Sequence, residues 1–210
     1  MHNSKFNVRI IILLLLVFVF GLLTWLALGG SLASFENGVY SGLSRLISPA
    51  LTSIMIFMTN IGSSVVIIAV AATLLMAPST RKTFGVPVAL NAILCAVLTD
   101  LLKTIIARGR PDILRLVAET GYSFPSGHAS NSTALYVIIS LIIFRKAQSN
   151  KVRIPALIVA AVLPVFIGIS RIYLGVHAAG DVLAGWVLGA TVALFVDTGF
   201  KRWQDQRPRA

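Results

Sequence analysis

The sequence predicts an all-α, polytopic membrane protein with six transmembrane helices and both termini on the cytoplasmic side. Three observations carry that prediction. Of 210 residues, 57% are hydrophobic and 12% charged, with a mean hydropathy of +0.89, far more apolar surface than a water-soluble domain needs. The apolar residues fall into repeated runs long enough to cross a bilayer as helices. The lysines and arginines cluster between those runs. A formal net charge of +11 would point a soluble protein toward nucleic acid. Here the cations sit in short loops, so they report topology, and no nucleic-acid partner is expected.

The chain reads as one integral membrane domain over 1–210. Residues 1–9 are short and basic. Residues 10–28 form an uncharged run of about 19 residues, enough to cross a hydrocarbon layer roughly 30 Å thick. The rival reading is a signal peptide cleaved near Ser31-Leu32-Ala33. Signal h-regions run about 7–15 residues, so an uncleaved first span is favoured. Residues 32–47 place Leu32, Phe35, Val39, Leu43, Leu46 and Ile47 at helical spacing, with Glu36, Asn37 and Arg45 off the stripe. This segment is too polar to span, and reads equally as an interfacial helix or as a loop helix packed on its neighbours. The second span is 51–76, where Asn60, Gly62, Ser63 and Ser64 are expected to serve helix packing. A tight basic turn, Pro78-Ser79-Thr80-Arg81-Lys82, leads to the third span, 86–102. Cys95 lies in that span. A lone cysteine excludes an intrachain disulfide and a multi-cysteine metal site, and reads as a small buried hydrophobe.

Residues 103–124 are the only long polar stretch. The fourth span is 129–144, followed by a basic loop, 145–153. The fifth is 154–169, with Pro155 in its first turn and Pro164 as a kink. After a short link, the sixth span is 177–195, and a basic tail closes the chain. Gly185 and Gly189 form a Gly-x-x-x-Gly face that packs helices within the chain or between chains. The oligomeric state is left open.

Six spans put both termini and the two basic loops on one side. That side carries Lys5, Arg9, Arg81, Lys82, Arg145, Lys146, Lys151, Arg153, Lys201, Arg202, Arg207 and Arg209. Only Arg45, Lys103, Arg108, Arg110, Arg115 and Arg171 fall on the other. The first side is therefore expected to be cytoplasmic. The 103–128 stretch and the 170–177 link then share the outer side, where basic residues are disfavoured and want a reason.

Three clusters meet on that outer face. The first runs from Lys103 to Arg110-Pro111. The two cations are seven apart, about two helical turns, and share a face if the helix continues that far. The second is Pro125-Ser126-Gly127-His128. Proline suits a first helical turn, and Ser126 and Gly127 would present free backbone amides to an anion. The third is Ser170-Arg171 followed by His177 and Asp181. His177 and Asp181 are i and i+4, neighbours on one helix face. Asp181 is placed to accept the Nδ1–H of His177, leaving Nε2 free to attack. Three cations are enough to meet the charge of a phosphoryl group in transfer. No carboxylate cluster suits Mg²⁺ or Zn²⁺, so no metal and no cofactor is expected. Of the neighbours, Asp100 reads as a helix-end partner of Lys103. Arg108 and Arg115 read as headgroup contacts or solvated loop charges. Glu119, Tyr122 and Tyr173 border the clusters without an expected catalytic role, and His2 is expected to be inert.

These clusters resemble the three signature motifs of the type 2 phosphatidic acid phosphatase superfamily: Lys-x6-Arg-Pro, Pro-Ser-Gly-His, and Ser-Arg-x5-His-x3-Asp. They occur in that order and spacing over 103–181, and the six-span layout extends the likeness over the whole chain. The resemblance implies roles. His177 would be the nucleophile that forms a phosphohistidine, and Asp181 would orient it. His128 would protonate the leaving oxygen and then activate water. Lys103, Arg110 and Arg171 would bind the phosphoryl oxygens, with Ser126 and the Gly127 amide completing the cradle. It implies a membrane lipid phosphate as substrate, with undecaprenyl pyrophosphate first, then phosphatidylglycerophosphate or phosphatidic acid. It also implies a bacterial plasma-membrane location with the site facing outward. Two alternatives stand beside the enzyme: a non-catalytic lipid-phosphate binder or transporter, and a phosphotransferase to an acceptor other than water. No internal repeat of the kind common in transporters is visible.

Overall fold

The structure is a computed structural model describing residues 2–206, with side chains from Val8 onward. His2, Lys5, Arg207 and Arg209, named above, lie outside the described side chains. Among the described residues all regular structure is helical, with no strand. Five helices are long and apolar enough to cross a membrane, or six if one bent pair counts as a single span.

Helix α1, His2–Leu28, contains the first expected span. Helix α2, Ala33–Ser44, covers most of the expected amphipathic segment. The expected second span is broken into α3, Pro49–Ile61, and α4, Ser64–Met76, bent by 42°. The sequence shows why. Gly62 sits where an added Cβ would fall 2.5 Å from Ile167, so the later helix that carries Ile167 crosses at the break. The Ser63 side chain then accepts from the Val66 amide and restarts the helix. Asn60, Gly62, Ser63 and Ser64 thus mark a break as well as a packing contact.

A short turn α5, Pro78–Thr80, and a π-helical turn, Arg81–Gly85, lead into α6, Val86–Ile106. Helix α6 runs four residues past the expected end. It stops at Ala107, whose left-handed conformation (φ 49°) carries its amide back to the Lys103 carbonyl. Then come α7, Gly127–Lys146, α8, Asn150–Tyr173, and α9, Ala179–Asp205. Helix α8 starts at Ser149, which caps the Lys151 amide, so Pro155 lies inside the helix and not in its first turn. The carbonyl of Pro164 accepts the Trp186 indole N–H at 2.9 Å, tying α8 to α9.

Helices α7 and α9 form the centre. Added Cβ atoms at Gly185 and Gly189 would lie 2.8 Å from the Ser126 carbonyl oxygen and 2.3 Å from that of Ser130. The Gly-x-x-x-Gly face is therefore spent inside the chain, bringing α9 against the first turns of α7. Both helices begin at the same end of the bundle, where α6 and α8 finish. At the opposite end, buried Asp197 of α9 pairs with Arg9 of α1 at 2.7 Å and with Arg145 of α7. The start of α1 and the last turns of α9 therefore share the end of the bundle away from the three motifs.

Candidate active site

The motif-bearing ends are held by short-range backbone constraints. Gly175 ends the α8 turn at φ +74°, and an added Cβ there would meet the Leu114 carbonyl oxygen at 2.0 Å. Only glycine fits that approach. The adjacent Leu174 carbonyl accepts the Leu116 amide at 3.0 Å, so the non-helical 107–126 segment lies directly on the link carrying His177. Ser123 closes the other side. Its amide donates to the Arg108 carbonyl at 2.9 Å, and its hydroxyl donates to the Gly109 carbonyl at 2.7 Å. Phe124 is buried against Ala27, Phe20 and Ala184.

His177 and Asp181 are both buried. His177 stands just before α9 and not in it, because Asp181, in the first turn, caps the helix: its Oδ2 accepts the Ala178 amide at 2.9 Å. The pairing survives this shift. His177 Nδ1 lies 3.5 Å from Asp181 Oδ2, at the outer limit of a hydrogen bond, and has no closer partner among the described residues. Its Nε2 lies 3.4 Å from Arg110 Nη1. A guanidinium only donates, so Nε2 is the acceptor nitrogen and Nδ1 carries the hydrogen toward Asp181. Burial pushes the His177 pKa down to about 4, against the pull of Asp181. At neutral pH the ring is therefore uncharged, with its Nε2 lone pair intact.

The expected cations converge on this ring. Arg110 is fixed by carbonyls: Nη1 donates to Val176 at 2.7 Å, Nη2 to Thr120 at 2.7 Å and Nε to Gly121 at 3.0 Å. It sits on the loop after α6, so the shared helix face with Lys103 is replaced by a shared cleft. Lys103 Nζ donates to the Tyr122 carbonyl at 2.6 Å. Among the described residues it has no ion pair with Asp100, contrary to the helix-end pairing expected. Arg171 is buried and donates to Thr59 Oγ1 at 2.9 Å and to Glu119. His128, at the second position of α7, interacts electrostatically with Arg171, Glu119, His177 and Lys103. The two histidines thus lie in one cluster.

The second motif departs in one detail. The Ser126 amide is not free, since it donates to the Asp181 carbonyl at 2.9 Å. Its buried hydroxyl has no hydrogen-bond partner among the described residues. Gly127 begins α7 and faces Thr99 and Lys103.

A family model described as the PAP2 superfamily matches residues 84–205, more than half of the chain. The chain belongs to the PAP2 superfamily. It is 30% identical over 188 residues to an undecaprenyl-diphosphatase of Sulfolobus acidocaldarius, a match covering 87% of this chain and 86% of that one. It is 39% identical over 113 residues to phosphatidylglycerophosphatase B of Bacillus subtilis, covering 52% of this chain and 56% of that relative. This last match thus spans little more than half the relative's length. Among solved structures, a transmembrane PAP2-type phosphatidylglycerolphosphate phosphatase from Bacillus subtilis superposes with a TM-score of 0.80 at 29% identity, covering 94% of this chain and 98% of that one. The PAP2 chain is accordingly a multi-span membrane protein with that helical fold.

Three residues beside the motif residues carry no expected role in the sequence. Arg108 is not a solvated loop charge. It donates to Asp181 Oδ1 at 2.6 Å and to both Glu36 oxygens, at 3.0 and 2.7 Å. Burial works against its charge, but the two carboxylates outweigh that and raise its pKa. Glu36, read as an off-stripe polar residue, is the buried partner. Glu119 pairs with Arg171 and lies 3.8 Å from Arg110. Burial disfavours its carboxylate, yet Arg171 and Arg110 hold its pKa below the usual range. One signal was available: the chain has only seven acidic residues, so each one near a motif was informative. Beside His177 a cavity of about 220 Å³ is lined by Asn37, Tyr40, Arg108 and Asp112.

Proposed function

We propose that the chain is a metal-independent lipid phosphatase acting through a phosphohistidine. One observation carries this reading: an uncharged, buried His177 whose Nε2 faces Arg110, with Lys103, Arg171 and His128 in the same cluster. The Nε2 lone pair attacks phosphorus while the bond to the leaving oxygen breaks. His128 protonates that oxygen. His128 then takes a proton from water, which attacks the phosphohistidine and releases inorganic phosphate. Lys103, Arg110 and Arg171 meet the equatorial charge, with the Ser126 hydroxyl and Gly127 amide beside them. Asp181 holds the tautomer and offsets the positive charge that develops on the ring. Within this reading, Glu119 occupies the arginines until a phosphate takes its place.

Undecaprenyl pyrophosphate is the leading substrate, then phosphatidylglycerophosphate or phosphatidic acid. Relatives with such names support the class, and the motif residues read phosphate and not the lipid tail. The excess of lysine and arginine at the end away from the site supports cytoplasmic termini and an outward-facing site in a bacterial plasma membrane. The test is phosphate release from a panel of purified lipid phosphates and pyrophosphates, with EDTA present. His177→Ala and His128→Ala are expected to abolish it, and orthovanadate to inhibit it. Denaturant-quenched labelled substrate should leave an acid-labile, alkali-stable phosphoprotein. Full hydrolysis by clean His177→Ala protein would overturn the reading, and tight binding without turnover would favour a binder.

A further inference from the structure

We propose that Arg108 and Glu36 form a positioning pair that aims Asp181 at His177 and makes helix α2 part of the reacting centre. The inference rests on the phosphatase reading of His177 and Asp181 and extends it to two residues outside the three motifs.

The geometry assigns each oxygen a task. Asp181 Oδ1 is taken by Arg108 at 2.6 Å. Oδ2 takes the Ala178 amide at 2.9 Å and faces His177 Nδ1 at 3.5 Å. A carboxylate pinned at both oxygens cannot rotate, so the Oδ2 lone pair toward Nδ1 keeps one direction. Arg108 is itself pinned. Glu36 binds both of its terminal nitrogens, at 3.0 and 2.7 Å, and the same Glu36 oxygen accepts the Gly180 amide at 3.2 Å. Glu36 therefore touches the guanidinium and the first turn of α9 together. An added Cβ at Gly180 would meet Glu36 at 2.5 Å, so the chain leaves room for this contact. Arg108 has no free charge to offer a substrate, because two carboxylates already share it.

The two side chains act on His177 with opposite sign. Arg108 draws on the negative charge of Asp181, and so weakens its hold on a proton at His177. Glu36 offsets Arg108, and so strengthens that hold. Other charged groups face the dyad: Arg110 and Glu119 from the loop, Lys103 from α6, His128 from α7 and Arg171 from α8. All of these stay in place when Arg108 or Glu36 is changed. A pair that only stapled α2 to the bundle would alter stability without moving the titration of His177 in opposed directions.

The experiment uses the full chain in detergent micelles, hydrolysing dioctanoyl phosphatidic acid with EDTA present, with kcat and KM measured between pH 3 and 8. Arg108→Met is expected to lower kcat by about 30-fold or more, with KM within about threefold, and to move the acid limb of kcat upward in pH. Glu36→Gln is expected to move that limb downward, with a smaller loss of kcat. Arg108→Lys keeps the charge and is expected to restore most of the limb position. If Arg108→Met does not yield monodisperse protein, the Glu36→Gln and Arg108→Lys profiles decide alone. Unmoved limbs, or limbs moving the same way in Arg108→Met and Glu36→Gln, overturn the proposal. Asp181→Asn is run alongside. If it is inactive while the Arg108 and Glu36 variants match the parent, only this inference fails; an active His177→Ala sinks the phosphatase reading instead.

Discussion

Asp181→Asn is the sharpest perturbation of the site, because it changes one atom and no shape. The carboxylate now serves three donors: Arg108 at Oδ1, and the Ala178 amide and His177 Nδ1 at Oδ2. An asparagine amide has one acceptor oxygen. If that oxygen faces Arg108, the new NH₂ group confronts both the Ala178 N–H and the Nδ1–H. If it faces Ala178, the NH₂ group confronts the guanidinium. The cheaper outcome keeps the oxygen on the charged Arg108, since hydrogen bonds to charged groups contribute about 1.5–3 kcal/mol. The His177 ring then flips its tautomer to put an acceptor at Nδ1. Its proton moves to Nε2, and the attacking lone pair is gone.

The same Asp-to-Asn change in serine hydrolases lowers kcat by about 10⁴-fold while leaving geometry intact. Here the Nδ1 to Oδ2 distance is 3.5 Å, longer than an optimal bond, so less depends on it. A loss of roughly 10²–10⁴ in kcat, or about 3–5 kcal/mol of barrier, is expected. KM should change little, because in the proposed mechanism Lys103, Arg110 and Arg171 would hold the phosphate independently of Asp181. The assay is steady-state phosphate release from a short-chain lipid phosphate, beside a thermal melt of the same preparation in detergent. A folded Asp181→Asn protein with kcat within threefold of the parent would show that Asp181 does not set the His177 tautomer. A large rise in KM at constant kcat would show that it serves binding instead.

Further outcomes follow from the same geometry. His177 titrates near 4 because of burial, and protonation removes its lone pair; kcat should therefore fall roughly tenfold per unit below about pH 4, while loss of the proton that His128 must donate sets a separate alkaline limb. The folded-state pKa lies below the ordinary 6.5, so the unfolded chain binds the extra proton between those values. Stability should accordingly decline as pH falls from about 6.5 to about 4, and be level above that window, which melts at stepped pH would show. Glu119→Gln removes the anion that competes for Arg171 and Arg110, and should tighten inhibition by orthovanadate about tenfold; weaker inhibition would mean that Glu119 orients Arg171 for substrate. Gly189→Ala places a Cβ 2.3 Å from the Ser130 carbonyl oxygen and should cost about 1–3 kcal/mol of stability. Gly199→Ala, with open space around it, should be neutral or slightly stabilising by the same melts.

The motif residues were legible because their chemistry is local. His177 and Asp181 are four apart, and Ser126 and His128 two apart, so short-range geometry brings each pair together. The spans were legible because hydropathy tells lipid from water. It does not tell where a helix is capped, and there the expectations slipped. Lys103 and Thr104 end the apolar run but not the helix, so α6 continues until Ala107 turns left-handed. His177 is followed by small apolar residues, so by hydropathy the run begins with it, yet Asp181 caps the helix at Ala178 and leaves His177 outside. The break at Gly62 and Ser63 was written in the sequence, but small polar residues in a span are ambiguous between packing and interruption. Arg108 and Glu36 were hidden by distance along the chain. Nothing within a few residues of either reveals that they meet.

The arrangement also explains why the central packing and the site cannot be separated. Two helix starts, those of α7 and α9, must approach closely enough for the Asp181 carbonyl to accept the Ser126 amide. That approach requires Gly185 and Gly189, since larger residues would hold the axes apart. Once the starts meet, the buried charges at that end need compensation. Asp181 gains it from Arg108, Arg108 from Glu36, and Arg171 from Glu119. Each acid in this chain of pairs comes from a different segment: α9, α2 and the 107–126 stretch. Buried ions left without partners would each cost several kcal/mol, so the pairs commit those three segments to one end of the bundle. The three cations that face His177 are then held by carbonyls, a hydroxyl and Glu119, contacts that a phosphate can replace or share.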